Sequence, residues 1–184
     1  CLGIEFGVRI ALATNPKPAH GLSQAIGCLA SAVAVGKILG LDEEQMLDAL
    51  GIAYCQVSTS GVSTLSPSLT KRLGPGLAAR AGVFSAYLAA AGFKGGRNTL
   101  QGAKGYYRSF FGVEGDQEQL TSDWGSRFEM VQVYPKGYPC CRRLHSPVEA
   151  ALGLAGEFDA KEIARVIVRL APSYLSSPED RSEE

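Results

Sequence analysis

The sequence has no excess of positive or of negative charge. Lys plus Arg and Asp plus Glu each number 18 in 184 residues, so the formal net charge is zero. A chain without a net field is not drawn as a whole to nucleic acid or to an anionic membrane. We therefore expect no nucleic-acid partner, and any site for an anion must be built locally.

Long apolar runs are also lacking. The longest one, residues 25–41, is rich in Ala and Gly and contains Lys37, which is typical of a packed helix rather than of a bilayer span. The first residues do not resemble a signal peptide, and the chain opens at Cys1 without a Met, as a fragment does. We expect no membrane partner, and we expect both ends to be incomplete.

Cysteine pairs and cofactor motifs are scarce. The five cysteines form no C-x-x-C pair, and the adjacent Cys140 and Cys141 have no second Cys or His cluster to complete a metal site. Segments 94–97 and 102–105 lack the G-x-x-x-x-G-K-[ST] order of a phosphate loop. We expect neither a metal nor an organic cofactor, and reduced thiols in a cytoplasmic protein. Two His and many Ser leave Ser/His/Asp catalysis open by composition, although no G-x-S-x-G supports it.

What the sequence does contain is helical periodicity. Apolar and small residues recur at steps of three and four, which is typical of packed helices. Helices are predicted at 21–39, 42–57, 76–91 and within 100–111. Gly40 is placed to end the first helix, and Asp42 with Gln45 resembles a capping box that starts the second.

One long polar segment interrupts these helices. Residues 58–75 contain five Ser, three Thr, two Pro and two Gly, a composition of turns and of side-chain hydrogen bonds to the backbone. Loops of this length inside a compact domain are more often functional than idle. The predicted loop carries Lys71 and Arg72 just ahead of Gly76. Taken alone, this pair of cations fits a solvated surface better than an anion site.

The character of the sequence changes after Trp124. Segments 129–134 and 164–170 are rich in Val and Ile, and they flank a helical stretch at 146–157. A strand, helix, strand order predicts the start of an α+β unit. The boundary between the two parts is expected within the connector 112–124.

The most distinctive segment runs from Lys136 to His145, Lys-Gly-Tyr-Pro-Cys-Cys-Arg-Arg-Leu-His, and groups four basic side chains around a Tyr-Pro turn. If His145 begins the helix that continues through Ser146 and Pro147, backbone N–H groups and the positive end of the helix dipole lie beside it. Such an arrangement binds anions. A solvated basic turn explains the same composition equally well.

Five blocks of the sequence together resemble consecutive blocks of the MmgE/PrpD family, in family order and at family spacing. The resemblance covers nearly the whole chain, and the pattern K-x-Y-P-x-C-x-x-x-H is its most distinctive part. The blocks are 27–41, Asp48-Ala-Leu-Gly-Ile-Ala53, Lys71 with Gly76-Leu-Ala-Ala-Arg-Ala-Gly82, Leu88-Ala-Ala-Ala-Gly-Phe93, and Lys136-Gly-Tyr-Pro-Cys-Cys141 with His145. The resemblance implies a mainly α fold, in which 1–118 are part of an all-helical domain and 119–184 start an α+β lid domain. It also implies a homodimer without a cofactor.

The resemblance implies a set of site residues as well. The catalytic residues would be Lys71, Lys136 and His145. The substrate-binding residues would be His20, Arg72, Tyr138 and Arg142. Many family members carry a His where this sequence has Gly74, and this difference points to an altered substrate choice.

The substrate implied by the resemblance is a small polycarboxylic acid, and the implied activity is that of a lyase. Dehydration of a 2-methylcitrate-like acid is the first expectation, while decarboxylation of cis-aconitate and epimerisation of iminodisuccinate are the alternatives within the family. The residue types suit this chemistry, because Lys and Arg neutralise carboxylates and His, or a Lys, can move a proton. Outside the family, a non-catalytic helical binding module or an inactive fragment would account for the chain.

Overall fold

The structure, a computed structural model, describes residues 1–14, 23–57 and 69–169 of the chain. The α-helices within these ranges are α1 (Leu2–Leu12), α2 (Ser23–Leu39), α3 (Glu43–Cys55), α4 (Thr70–Ala90), α5 (Tyr106–Phe111), α6 (Gln117–Thr121) and α7 (His145–Leu154). The same ranges contain 3-10 helices at Glu129–Gln132, Arg142–Leu144 and Ala160–Glu162, and no β-pairing beyond one isolated bridge. The predicted mainly α fold is confirmed.

Local signals in the sequence place several helix ends. The Asp42 carboxylate accepts a hydrogen bond from the Gln45 amide at 2.8 Å, and the Gln45 side chain accepts one from the Asp42 amide at 3.1 Å. The predicted capping box of α3 is therefore confirmed. Gly40 and Gly92 follow α2 and α4 with φ of +71° and +90°, a left-handed conformation that glycine adopts without strain.

Helix α1 has no counterpart among the predicted helices, and it packs antiparallel on α2. A Cβ placed on Gly3 would lie 2.7 Å from the Ala30 carbonyl oxygen, and one placed on Gly7 would lie 3.2 Å from a methyl carbon of Ile26. The later residue of α1 contacts the earlier residue of α2, so the two helices run in opposite directions. The missing side chains of the glycines allow the backbones to approach closely.

Helices α2 and α4 run parallel. An ideal Cβ on Gly27 of α2 would lie 3.5 Å from Ala78 of α4, and one on Gly82, further along α4, would lie 2.6 Å from the amide nitrogen of Ala32, further along α2. The contacts advance in the same direction along both helices, so their N-termini lie side by side. This arrangement matters for the site, because the first turn of α4 contains Lys71.

Helix α3 holds the turn that follows α4. Asp48 of α3 is 1% exposed and accepts hydrogen bonds from Lys94 Nζ at 3.1 Å, the Gly95 amide at 3.1 Å and Arg97 at 2.6 Å. The hydrogen bond from Arg97 lowers the pKa of Asp48 to about 2, against the opposing effect of burial and with help from the other two donors. A single buried carboxylate thus fixes this turn on α3.

The apolar core lies under the aromatic helix α5. Tyr106 and Tyr107 are completely buried in one cluster with Ile10 of α1 and Leu29 of α2. The Tyr107 hydroxyl donates to the Ile10 carbonyl oxygen at 3.2 Å, whereas the Tyr106 hydroxyl has no partner within the described ranges. Burial raises the pKa of Tyr106 to about 12, so this hydroxyl is neutral at physiological pH.

The prediction of a strand at 129–134 is wrong. Its first four residues form a 3-10 helix. The amides of Glu129 and Met130 donate to the carboxylate of Glu5 at 3.1 and 2.8 Å instead of to a neighbouring strand. Glu5 is itself buried in an ion pair with Arg9 at 2.6 Å. The hydrogen bonds to this carboxylate of α1 therefore decide the backbone conformation, despite the β propensity of the side chains in this segment.

The second predicted strand, 164–170, is also wrong over the part that the structure describes. Residues 164–169 have no regular secondary structure, and the described residues offer them no partner strand. A strand needs paired neighbours to be stable, so β propensity alone does not form one here. The helix expected at 146–157 is present as the shorter α7.

The chain divides into two compact units, Cys1–Val133 and Tyr134–Glu184. The first contains α1 to α6, and the second contains α7. The domain division predicted after residue 118 stays a prediction. Within the described ranges, no helix has the length and apolar character required to cross a membrane.

Candidate functional site

Lys71 and Arg72 lie in the first turn of α4, and the prediction that they belong to a loop is wrong. The Leu69 carbonyl accepts hydrogen bonds from the amides of Arg72 at 3.0 Å and Leu73 at 3.1 Å, so the helix begins before the predicted start at Gly76. Pro75 is the sixth residue of α4, past the first turn, so it leaves the Lys71 carbonyl without the N–H donor that another residue at this position would supply.

The helix start leaves both cations available to a ligand. The Lys71 and Arg72 side chains are exposed. The first N–H groups of a helix lack intrahelical acceptors and carry the positive end of its dipole, and here the starts of α2 and α4 lie together. Residues 58–68 of the predicted loop lie outside the described residues, as does His20, one of the predicted substrate-binding residues.

In the second unit, His145 is the first residue of α7. Its ring packs edge-on against the ring of Tyr138, with centroids 5.2 Å apart and an interplanar angle of 85°. The His145 Nε2 atom is buried and has no hydrogen-bond partner in the part of the chain that the structure describes. Buried polar atoms are nearly always hydrogen-bonded, so this nitrogen is a candidate contact for a ligand.

The other two predicted site residues of this segment are cationic. The Arg142 guanidinium lies 4.5 Å from the centre of the Tyr134 ring, a cation–π contact. Lys136 is exposed just ahead of the turn in which the Cys140 amide donates to the Tyr138 carbonyl at 2.8 Å. The structure thus brings Tyr138 and His145 together and pairs Arg142 with Tyr134.

These groups suit an acidic ligand. Ammonium and guanidinium groups neutralise carboxylates, helix starts add N–H donors, and an imidazole can bind an oxygen or transfer a proton. Within the described ranges, no three His, Cys, Asp or Glu side chains lie close enough together to hold a metal ion. A common cleft for Lys71, Lys136 and His145 stays a prediction.

Comparison with known proteins gives this site a context. Residues 1–119 match the profile of the MmgE/PrpD N-terminal domain. The chain is 33% identical over 139 residues to a cis-aconitate decarboxylase of Aspergillus terreus, an alignment that covers 72% of this chain and 28% of that protein. A cis-aconitate decarboxylase-like protein of Aspergillus oryzae is 28% identical over 173 residues, which is 84% of this chain and 36% of that protein.

The family match covers more than half of the sequence, so the chain belongs to the MmgE/PrpD family, as the resemblance predicts. The chain spans about a quarter to a third of the length of the curated relatives it matches. The matched domain ends at residue 119, whereas the first compact unit continues to Val133. The hydrogen bonds of Glu5 to the backbone at Glu129 and Met130 explain why the unit extends further.

Proposed function

We propose that this chain is part of a lyase that acts on a small polycarboxylic acid, with decarboxylation of cis-aconitate or a close analogue as its reaction. The observation that carries the proposal is the alignment of 72% of the chain with a protein named as a cis-aconitate decarboxylase. Dehydration of a 2-methylcitrate-like acid and epimerisation of iminodisuccinate are the competing outcomes of the assay below.

The proposed reaction assigns different tasks to the cations and to the imidazole. One C–C bond breaks, the departing carboxylate leaves as CO2, and the electron pair left on the substrate carbon takes up a proton. Lys71 and Lys136 hold the carboxylates that stay, which fixes the breaking bond in one orientation. His145 delivers the proton, and its ring orientation is supported by the edge contact with Tyr138.

The substrate-binding roles of the remaining residues are proposed from the family resemblance, and the charge and position of the two arginines support them. Arg72 stands next to Lys71 in the exposed first turn of α4. Arg142 lies over the Tyr134 ring. When substrate binds, its guanidinium would leave this cation–π contact and form a bidentate contact with a carboxylate. His20 is proposed from the family resemblance.

We further propose that the enzyme is a cytoplasmic homodimer that needs no metal or organic cofactor. Elemental analysis of the active protein tests the second part, and iron or zinc that is stoichiometric and required for turnover would contradict it. Light scattering at micromolar concentration tests the first, and a monodisperse monomer would contradict it.

The activity itself is tested with the natural full-length protein that contains this sequence. Purified protein is incubated separately with cis-aconitate, 2-methylcitrate and iminodisuccinate, and CO2 release and product mass are measured. We expect CO2 from cis-aconitate. Loss of water from 2-methylcitrate without CO2 release would favour the dehydratase, and no turnover of any of the three would contradict a lyase.

Alanine variants test the site. Lys71→Ala and Lys136→Ala should each lose about 2–5 kcal/mol of transition-state stabilisation, roughly thirtyfold to several thousandfold in kcat/KM. His145→Ala should mainly lower kcat if the imidazole moves the proton, and mainly raise KM if it only binds. Lys37→Ala, which removes an exposed lysine from the last turn of α2, is the control. An equal loss in Lys37→Ala would contradict the site.

A further inference from the structure

Gly74 leaves a space on α4 that a side chain from α2 fills. Gly74 is buried in the second turn of α4, and a Cβ placed on it would overlap Nε2 of Gln24 and lie 2.7 Å from its Cδ. Gln24 is the second residue of α2 and is half-buried. The Gln24 carboxamide therefore lies over the Gly74 backbone, where a larger residue at 74 would place its own side chain.

Lys71 lies on the same face of α4 as Gly74, the residue that the carboxamide covers. Residues three apart on a helix share a face, with Cβ atoms about 5–6 Å apart, and helical side chains lean towards the helix N-terminus. Lys71 precedes Gly74 by three residues, so its side chain leaves α4 on the face that Gln24 covers. Among the described residues, the Gln24 carboxamide has no hydrogen-bond partner.

The surroundings of this amide favour an anion. Because α2 and α4 run parallel, the first turn after Ser23 and the first turn after Thr70 lie at the same end of the pair. A carboxylate held by the Lys71 ammonium at this end would meet the positive ends of two helix dipoles and the N–H donors of the Gln24 carboxamide.

We propose that Gln24 is a specificity-determining residue, whose carboxamide donates a hydrogen bond to the substrate carboxylate that Lys71 holds, in a space kept open by Gly74. This inference rests on the proposed function, since it assigns Lys71 to the substrate. A fixed amide donor selects substrates with a carboxylate at this place, because a substrate without one leaves the donor unpaired.

Three variants of the natural full-length protein test the proposal, with cis-aconitate as substrate. Gln24→Ala should raise KM about tenfold with kcat changed less than about twofold, because a hydrogen bond to a charged group is lost. Gln24→Glu should raise KM further, because two carboxylates repel. Gln132→Ala changes an exposed glutamine next to the backbone that Glu5 of α1 holds, and it should leave both constants unchanged.

A binding measurement separates this proposal from the activity. Calorimetry with tricarballylate, a tricarboxylate without the reactive double bond, should show weaker binding in the Gln24 variants than in Gln132→Ala. Unchanged affinity and KM in Gln24→Ala, together with lost binding in Lys71→Ala, would overturn the role of Gln24 and leave the proposed function standing. If neither variant changes binding, or the unaltered protein neither binds nor reacts, both proposals fail.

Gly74→Ala tests the geometry directly. The added Cβ should displace the Gln24 carboxamide and reproduce the rise in KM of Gln24→Ala, and the double variant should be no worse than Gln24→Ala alone. Circular dichroism confirms that each variant is folded. A folded Gly74→Ala protein with unaltered KM would overturn the proposal.

Discussion

Replacing Gly82 by Ala should push α4 away from α2, although Ala is normally the better residue inside a helix. A Cβ on Gly82 would overlap the carbonyl oxygen of Cys28 and lie 2.6 Å from the amide nitrogen of Ala32. Both are backbone atoms, which cannot rotate aside as a flexible side chain does. Non-bonded heavy atoms are most stable about 3.5–4.0 Å apart, so the two helices would have to separate by about 1 Å.

The two contributions to this change have opposite signs. Replacing Gly by Ala in a helix interior adds about 0.5–1 kcal/mol of stability. Overpacking a fitted contact costs about 1–3 kcal/mol, and the rigid backbone partners place Gly82→Ala at the upper end of that range. The free energy of unfolding should therefore fall by about 2 kcal/mol.

Gly76→Ala in the same helix is the matched control. A Cβ on Gly76 would meet no atom of the described residues within 4 Å outside its own stretch of helix, so only the helix propensity changes and the free energy of unfolding should rise by about 0.5–1 kcal/mol. Urea unfolding followed by far-ultraviolet circular dichroism measures both variants. If Gly82→Ala is as stable as Gly76→Ala, the close parallel packing of α2 and α4 is refuted.

Further predictions concern buried polar groups. Asp48→Asn should destabilise the fold at pH 7. Because the pKa of Asp48 is lowered from 3.8 to about 2 in the folded state, the contribution of its carboxylate to stability is complete above about pH 5 and is lost as the pH falls through about 2. If the urea midpoints of Asp48→Asn and of the unaltered protein differ by the same amount at every pH, this prediction is wrong. Cys28 should resist iodoacetamide at pH 8, since burial raises its thiol pKa to about 11; early labelling of Cys28 in peptide mass spectra would contradict this. Tyr106→Phe should leave the free energy of unfolding unchanged or raise it by up to about 1 kcal/mol. Tyr107→Phe removes the hydrogen bond to the Ile10 carbonyl oxygen and should lower the free energy of unfolding by about 1 kcal/mol. Equal shifts in the thermal unfolding of the two variants would contradict this difference.

Helix ends that depend on neighbouring residues were predictable. The Asp42 and Gln45 capping box and the left-handed Gly40 act within one turn of chain, so their sequence signals carry the full information. The start of α4 was not predictable in this way. The Ser, Thr and Pro content of 58–75 is typical of a loop, yet its last residues continue the helix that packs on α2.

The strands failed for a related reason. Val131, Val133 and Tyr134 have high β propensity, but a strand also needs a partner, and the amide of Glu129 donates instead to the carboxylate of Glu5, 124 residues earlier. The role of Gln24 was not predictable either, because it also depends on a contact between residues far apart in the chain. Its only signal is one polar side chain in a helix start of small residues, and nothing in the sequence shows that it fills the space above Gly74.

From the sequence alone follows the helical class, because helix periodicity and caps act over a few positions of chain. The family and the candidate residues Lys71, Lys136 and His145 follow from the resemblance of its sequence blocks to the MmgE/PrpD family. The tertiary structure was needed to show that α2 and α4 run parallel, that Gln24 lies over Gly74, and that the His145 ring meets Tyr138. These facts depend on which helix faces bury their small residues against each other, and that choice is made by packing across the whole unit rather than by any local stretch of sequence.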